Sequence, residues 1–220
     1  MQLAAARWLT TGQVASLCFP ELSLEMPRRR IRLLRTNKYM TSRQHNRMSV
    51  SLHTLGPQGK DLVLSRGWPR PIHLERALPR NLEHFVGIND IRVTMASRAR
   101  HGEFSVGFFY ASWELQQLGW TALVIPDAAC HFARAGAERT VLFEYDRGNE
   151  PPNYVARTKF QAYAGGLPGF GPYRVVVIVE TKTRQAQLYR YVRAHSGIGQ
   201  VVVTVREELL GANNVEKILF

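Results

Sequence analysis

The chain has 220 residues, of which 45% are hydrophobic and 21% charged, so it can bury the core of one ordinary domain or of two small ones. This composition argues against a disordered chain, and the net charge of +12 favours a polyanionic partner. No apolar run is long enough to cross a bilayer and the N-terminus lacks a signal-peptide pattern, so we expect a cytoplasmic protein with no membrane partner.

The positive charge is unevenly distributed along the chain. Residues 1–80 contain 14 Lys and Arg against 4 Asp and Glu, a net charge of +10. Residues 81–220 contain 15 against 13, a net charge of only +2. The asymmetry therefore predicts that any contact with nucleic acid lies in the first third of the chain.

Residues 1–65 have the pattern of a winged helix-turn-helix domain. Thr10 or Thr11 is suited to cap a helix that Pro20 ends, and Pro27 suits the first turn of the next helix. The predicted elements are helices at 3–9, 10–19, 26–37 and 60–64, and strands at 39–42 and 48–54. In this order the third helix enters the major groove of DNA and the hairpin forms the wing.

Basic residues concentrate on the predicted third helix and on the tip of the hairpin. The candidate contacts to double-stranded DNA are Arg28, Arg29, Arg32, Arg35, Lys38, Arg43 and Arg47. Three of the arginines, at 28, 32 and 35, share one helical face because of their i, i+4, i+7 spacing. The alternative is a solvated arginine-rich helix in a protein–protein adaptor.

A Pro-, Gly- and Arg-rich stretch at 66–80 is predicted to be a linker to a second domain at 81–220. Predicted elements of that domain are helices at 81–100, 153–164 and 183–195, and strands at 107–113, 121–125, 140–145, 174–180 and 200–204. The unbroken valine runs at 175–179 and 201–203 are typical of central strands covered on both faces. The chain is therefore predicted to be of the α+β or α/β class, with a mixed sheet flanked by helices.

Three acidic residues fall near the ends of two predicted strands. These are Asp127, Glu144 and Asp146, and Lys159 follows on a predicted helix. Carboxylates from neighbouring strands can converge on one Mg²⁺ ion, and a nearby lysine can polarise water or a phosphate. The alternative is structural: Asp146-Arg147-Gly148 forms a turn and Asp127 caps another turn.

The residues Pro126-Asp127, Glu144-x-Asp146 and Lys159 resemble the PD-(D/E)xK signature of restriction-endonuclease-like proteins. That resemblance implies Mg²⁺ ligands at Asp127, Glu144 and Asp146, and Mg²⁺-dependent cleavage or nicking of DNA. The chain departs from the signature because Asp146 occupies the position of the usual lysine. In some members of the superfamily the lysine lies on the following helix, where Lys159 is found.

Taken together, the chain resembles the replication-relaxation family of bacterial plasmids and mobile elements over roughly residues 3–205. The segments that carry the resemblance are LTTGQVASLCF (9–19), RRRIRLL (28–34), LGPQG (55–59), PD (126–127), FEYDRG (143–148) and KFQAY (159–163). The resemblance implies a role in plasmid replication or DNA relaxation, with a winged helix followed by a nuclease-like domain. Two hypotheses follow: a Mg²⁺-dependent endonuclease, or a non-enzymatic accessory factor or transcriptional regulator whose second domain is a scaffold. The scaffold would serve homodimerisation or docking of replication or transfer proteins.

Overall fold

The computed structural model describes residues 1–46, 49–164, 172–194, 200–211 and 215–220. The chain divides into two compact units, Met1–Ser97 and Arg98–Phe220. No helix in the described ranges is long and apolar enough to cross a membrane. The fold is of the α+β class, with helices accompanying a three-stranded and a five-stranded sheet.

The first unit has the element order of a winged helix-turn-helix, as the sequence predicted. Its elements are α1 (Gln2–Ala6), β1 (Leu9–Thr10), α2 (Thr11–Cys18), α3 (Glu25–Thr36), β2 (Met40–Arg43), β3 (Leu52–Leu55), α4 (Pro57–Ser65) and α5 (Leu82–Arg100). The strands form an antiparallel sheet in the order β1-β3-β2. The β2–β3 hairpin is the wing, and its register pairs Met40 with Leu55.

Four polar side chains hold the first unit together around α2. Thr10 caps α2 by accepting a hydrogen bond from the Gln13 amide at 3.1 Å, and the Gln13 side chain accepts from the Thr10 amide at 2.9 Å. The side-chain amide of Gln13 also donates to Asp90 Oδ1 of α5 at 2.7 Å. Buried Asn89, also on α5, donates to the Trp8 carbonyl at 2.9 Å. These bonds fix α5 against α2 and against Trp8, the residue before β1.

Two glycines allow α4 to approach the segment that joins α3 to the wing. A Cβ atom on Gly56 would lie 2.3 Å from the Lys38 carbonyl oxygen, and one on Gly59 would lie 2.1 Å from the Tyr39 carbonyl oxygen. Real Cβ atoms do not come so close to backbone atoms, so any other residue would push α4 away. The LGPQG segment therefore sets the position of the wing relative to α3.

The second unit is built on a mixed five-stranded sheet. Its elements are β4 (Ser105–Ala111), α6 (Ser112–Gln117), β5 (Ala128–Arg134), β6 (Ala137–Asp146), α7 (Pro152–Val155), a π-helical turn (Ala156–Phe160), α8 (Gln161–Ala164), β7 (Tyr173–Val179), α9 (Lys182–Ala194), β8 (Val201–Val205), α10 (Arg206–Gly211) and α11 (Val215–Leu219). The strand order is β4-β5-β6-β7-β8, antiparallel from β4 to β6 and parallel from β6 to β8. Residues 175–179 of β7 are fully buried and β7 has a neighbour on each side, which confirms the expectation of a central strand. The same expectation for 201–203 is wrong, because these residues lie in β8, which among the described strands pairs only with β7 at the edge of the sheet.

The strand predicted at 121–125 is wrong. The second strand of the sheet is β5, which begins at Ala128, after Asp127 rather than before it. The apolar run at 121–125 is a loop in which the Leu123 side chain is 97% exposed. The small residues of β5 weaken its strand pattern, but Ala128, Ala129 and Cys130 are completely buried between neighbouring strands, and this packing decides the assignment.

The division after Ser97 also differs from the predicted domains of 1–65, linker 66–80 and 81–220. Residues 66–80 contain no helix or strand, as a linker would, but Arg7 Nε lies 2.5 Å from Glu75 Oε1 and ties this segment to the first unit. Most of α5 also belongs to the first unit, because Asn89 bonds to Trp8, just before β1, and Asp90 bonds to Gln13 of α2. These long-range bonds leave no pattern in the local sequence.

Candidate nucleic-acid interface and acidic cluster

Helix α3 presents its arginines to solvent. Its apolar contacts are made by Pro27 and Ile31, which are buried and lie one turn apart. The predicted DNA-contacting residues Arg28, Arg29, Arg32 and Arg35 are all exposed on the remaining faces. Sequence reasoning thus placed these four side chains correctly at the surface of the helix.

The basic surface continues from α3 into the wing. A groove of about 470 Å³ runs between the end of α3 and β2, and it is lined by Arg32, Arg35, Thr36, Lys38, Met40, Thr41, Ser42 and Pro57. Of the predicted residues, Lys38 is exposed in the lining of the groove, and Arg43 is exposed next to the lining residue Ser42 on β2. The seventh predicted residue, Arg47, lies outside the described residues. The groove combines cationic side chains with hydroxyl donors, which is the chemistry that recognises phosphate.

A buried histidine, His53, makes a hydrogen bond to Ser42, one of the residues that line the groove. His53 of β3 makes hydrogen bonds through both ring nitrogens, to Ser42 Oγ at 2.6 Å and to Thr11 Oγ1 at 2.9 Å. Burial, together with the positive charge of Arg35, lowers the pKa of His53 to about 4. The neutral ring therefore links β2 to the start of α2 at physiological pH without adding charge.

In the second unit, Asp127 and Glu144 lie side by side. Strands β5 and β6 are antiparallel and pair Ala128 with Phe143, so Asp127 just before β5 is opposite Glu144 near the end of β6. Asp127 Oδ2 accepts a hydrogen bond from the Tyr145 amide at 2.7 Å. Glu144 is buried, with only 2% of its surface exposed, whereas Asp127 is half-buried.

Glu144 is bound by two side chains from the segment after α7. Lys159 Nζ lies 2.6 Å from Glu144 Oε2, and the Tyr163 hydroxyl donates to Glu144 Oε1. Burial and the charge of Asp127 raise the pKa of Glu144 to about 7, although Lys159 and Tyr163 act in the opposite direction. The carboxyl group therefore changes protonation state near neutral pH.

Lys159 stays charged in this environment. Burial favours its neutral form, but the negative charges of Glu144 and Asp127 outweigh burial and raise its pKa above the usual value. Lys159 is in the π-helical turn Ala156–Phe160, a rare conformation that often marks functional positions. The structure thus brings three of the predicted residues, Asp127, Glu144 and Lys159, into one cluster.

The fourth predicted residue, Asp146, has a different partner. Arg184 of α9 places its Nε 2.8 Å from Asp146 Oδ2 and its Nη2 2.6 Å from the Glu150 carbonyl oxygen. The Gly148 amide donates to Asp146 Oδ1 at 2.7 Å, which closes the turn that the structural alternative predicted. Asp146 therefore serves a salt bridge and a turn at the end of β6.

Asp127, Glu144 and Asp146 are not arranged as the ligands of a Mg²⁺ ion would be. Among the described residues no three Asp, Glu, His or Cys side chains are grouped so that they could hold a metal ion. Both carboxylate oxygens of Glu144 accept hydrogen bonds from side chains, and Asp146 is paired with Arg184. An Mg²⁺ ion would have to displace these partners before it found ligands.

Three residues that matter here were missed by sequence reasoning. Tyr163 follows Lys159 by four positions, so the helical spacing could have suggested that both reach the same carboxylate. Arg184 is 38 residues away from Asp146, and His53 is 42 residues away from Thr11. Only the folded arrangement brings these last two pairs together.

Comparison with known proteins relates the chain to one protein family. The sequence model of a family described as replication-relaxation matches residues 1–165, three quarters of the chain and including both the basic groove and the Asp127–Glu144–Lys159 cluster. No curated protein and no solved structure matches the chain significantly.

Proposed function

The chain belongs to the replication-relaxation family, and we propose that it is a DNA-binding accessory factor in the replication or relaxation of plasmids or mobile elements. Its first unit binds double-stranded DNA, with α3 in the major groove and the wing against the backbone. The second unit does not cut DNA in this proposal. It acts as a scaffold, for homodimerisation or for docking replication or transfer proteins.

The observation that carries the proposal is the exposed basic face of α3. Arg28, Arg32 and Arg35 share this face and are not covered by the rest of the first unit. The groove between α3 and β2 adds Lys38 and the hydroxyl groups of Thr41 and Ser42. Guanidinium, ammonium and hydroxyl groups together suit contacts to phosphates and to base edges.

The contacts of the acidic cluster favour the scaffold role for the second unit. Glu144 and Asp146 each neutralise a cation from a following helix, Lys159 and Arg184 respectively. Removing one partner of such a buried pair leaves the other charge out of water without compensation, so each pair specifies which helix lies beside the strand. In this role the two carboxylates join the end of β6 to the segments that contain Lys159 and Arg184.

The test is the affinity for a fluorescent 30-base-pair duplex, followed by anisotropy. The double variant Arg28→Ala/Arg32→Ala should weaken binding at least tenfold, because two charge-assisted contacts to DNA are lost. The matched control is Arg190→Ala/Arg193→Ala, which removes two exposed arginines from α9 in the second unit. Equal affinities for the two double variants would remove α3 as the recognition helix.

A second candidate function, a Mg²⁺-dependent DNA nuclease, is favoured by one observation. Asp127 and Glu144 lie opposite each other with Lys159 Nζ 2.6 Å from Glu144, and this cluster unites the three residue types of the nuclease signature. For such an activity Glu144 would have to release Lys159 or Tyr163. The test is incubation of supercoiled plasmid with Mg²⁺: nicked circles formed by wild type and absent with Asp127→Ala would establish the nuclease. Equal background for both proteins would exclude it.

A further inference from the structure

The hydroxyl group of Ser42 lies between the basic groove and the interior of the first unit. Ser42 is partly exposed in the lining of the groove, and its Oγ is 2.6 Å from Nδ1 of the buried His53 ring. The register of the wing pairs these two residues directly, so their side chains share one face of the sheet. The other ring nitrogen, Nε2, is 2.9 Å from Thr11 Oγ1 at the start of α2. One imidazole ring therefore joins two hydroxyl groups.

The groove beside Ser42 is suited to an anion. Three cationic side chains line it, those of Arg32, Arg35 and Lys38, and no acidic residue does so among the described residues. The excess positive charge of the chain also lies in residues 1–80. In the proposed complex with duplex DNA, the anion that fits this groove is a phosphate of the DNA backbone.

The His53 ring can hold its proton on either nitrogen, and the two tautomers present Ser42 differently. Burial, with a further contribution from the charge of Arg35, lowers the pKa of His53 to about 4, so the ring is neutral at pH 7. With the proton on Nε2, Nδ1 accepts the hydroxyl proton of Ser42. With the proton on Nδ1, the ring donates to Ser42 Oγ, and the hydroxyl proton can point into the groove. The Thr11 hydroxyl then donates to Nε2.

A phosphate discriminates between these two tautomers because its oxygens only accept hydrogen bonds. A Ser42 hydroxyl that donates to His53 would turn lone pairs toward the phosphate and repel it. A Ser42 hydroxyl that accepts from His53 can donate a charge-assisted hydrogen bond to the phosphate. The hydroxyl of Thr36, which also lines the groove, already donates to the Arg32 carbonyl oxygen at 3.2 Å. Ser42 is therefore the better placed donor.

We propose that His53 is a positioning residue for DNA binding, which holds its proton on Nδ1 in the complex so that the Ser42 hydroxyl donates to a backbone phosphate in the groove. This proposal rests on the proposed binding of duplex DNA and adds a phosphate contact from strand β2. His53 is only 3% exposed, so it acts through Ser42 and does not touch the DNA. The Thr11 hydroxyl, which donates to Nε2, connects this contact to α2.

The first measurement is the tautomer of His53 in the full-length protein at pH 7, read by NMR from the nitrogen-15 signals of its ring. These signals are identified by their absence in His53→Asn. In the complex with a saturating 30-base-pair duplex, Nδ1 should carry the proton and Nε2 should not. A complex in which Nε2 carries the proton would overturn the proposal.

The second measurement is duplex affinity in a double-mutant cycle, followed by fluorescence anisotropy. Ser42→Ala should weaken binding about tenfold, because a hydrogen bond to a charged phosphate is lost. His53→Gln can replace Nε2 beside Thr11 but leaves Ser42 without its donor, so a similar loss is expected. The two changes combined should weaken binding no further, because both act through one hydroxyl. His53→Asn, whose amide can replace the Nδ1 donor, should stay within about threefold of wild type.

The matched control is Ser65→Ala, which removes an exposed hydroxyl from α4 that does not line the groove. It should leave duplex affinity unchanged, and circular dichroism checks that every variant is folded. Additive losses in the double variant, or wild-type affinity in Ser42→Ala, would contradict the role of His53. If Arg28→Ala/Arg32→Ala still weakens binding in that case, the proposed function stands without it. Absence of duplex binding by wild type would overturn both.

Discussion

At the scale of single residues, the acidic cluster shows how burial changes the chemistry of a carboxylate. Glu144 has almost no contact with water, and its two oxygens are shared between Lys159 and Tyr163. Burial also raises the pKa of the Tyr163 hydroxyl, with a further contribution from the charge of Glu144, so this group remains a donor at physiological pH. The contact between β6 and the following helical segment therefore depends on the protonation state of Glu144.

The first prediction concerns pH and Glu144. Because the pKa of Glu144 rises from its ordinary value of 4.5 to about 7 in the folded protein, the folded state holds the proton more tightly than the unfolded chain. The contribution of this group to the free energy of unfolding is therefore largest below pH 4.5 and declines as the pH rises to about 7. The decline is on the order of 3 kcal/mol.

Urea unfolding between pH 4.5 and pH 7 measures this effect. Glu144→Gln cannot titrate, so it should lose this part of the pH dependence. The control is Glu138→Gln, whose side chain is 71% exposed and which should retain the slope of wild type. Parallel pH profiles for wild type and Glu144→Gln would show that the carboxyl group is not buried as described.

The second prediction concerns the salt bridge between Arg184 and Asp146. The two side chains are 10% and 9% exposed, so removing the guanidinium leaves a carboxylate out of water without its partner. Arg184→Met should lower the free energy of unfolding by about 3 kcal/mol. Arg190→Met, an exposed arginine of the same helix, should change it by less than about 0.5 kcal/mol. A comparably small effect at Arg184 would contradict the pairing.

At the scale of elements, the position of the wing depends on the close approach of α4 to the end of α3. Lys38 has a positive φ of 58°, a conformation that reverses the chain directly after the helix. Gly56 and Gly59 then pass against the carbonyl oxygens of Lys38 and Tyr39. The basic groove exists because these backbone segments pack without side chains between them.

The third prediction tests this packing. Gly59→Ala places a Cβ atom 2.1 Å from the Tyr39 carbonyl oxygen, so α4 must shift, and we expect a loss of about 2 kcal/mol in stability and weaker duplex binding. Gly12→Ala is the matched control, because its Cβ would meet nothing closer than 3.9 Å inside α2. That change should raise stability by up to about 1 kcal/mol. Thermal unfolding distinguishes the two, and a harmless Gly59→Ala would refute the account of the groove.

The sequence predicts helices and strands well where a cap, an amphipathic pattern or a run of β-branched residues determines the element locally. The capping by Thr10, the amphipathic arginine helix and the valine strand at 175–179 all carry their own patterns. Prediction failed at β5, because alanines give a weak strand pattern and the apolar run before Pro126 gives a strong but misleading one. The approach of Lys159 to Glu144 was expected, whereas the role of Arg184 beside Asp146 depends on packing between distant segments.

At the scale of the whole molecule, charge is divided between the two units. Met1–Ser97 carries 15 Lys and Arg against 6 Asp and Glu, whereas Arg98–Phe220 carries 14 against 11. In the second unit, acidic residues pair with the cations Lys159, Lys182 and Arg184. The excess positive charge therefore lies in the first unit, where the proposed binding of duplex DNA would take place.

The fourth prediction, which tests the central claim that α3 places its arginines on DNA, is the salt dependence of duplex binding. Each phosphate contact releases condensed counterions, so the slope of the logarithm of the binding constant against the logarithm of salt concentration counts these contacts. For Arg28→Ala/Arg32→Ala the slope should be shallower than that of wild type by about 2 if both arginines contact phosphates. For Arg190→Ala/Arg193→Ala it should equal that of wild type. The claim would be contradicted if the slope were unchanged for the α3 variant, or reduced equally by both pairs of substitutions.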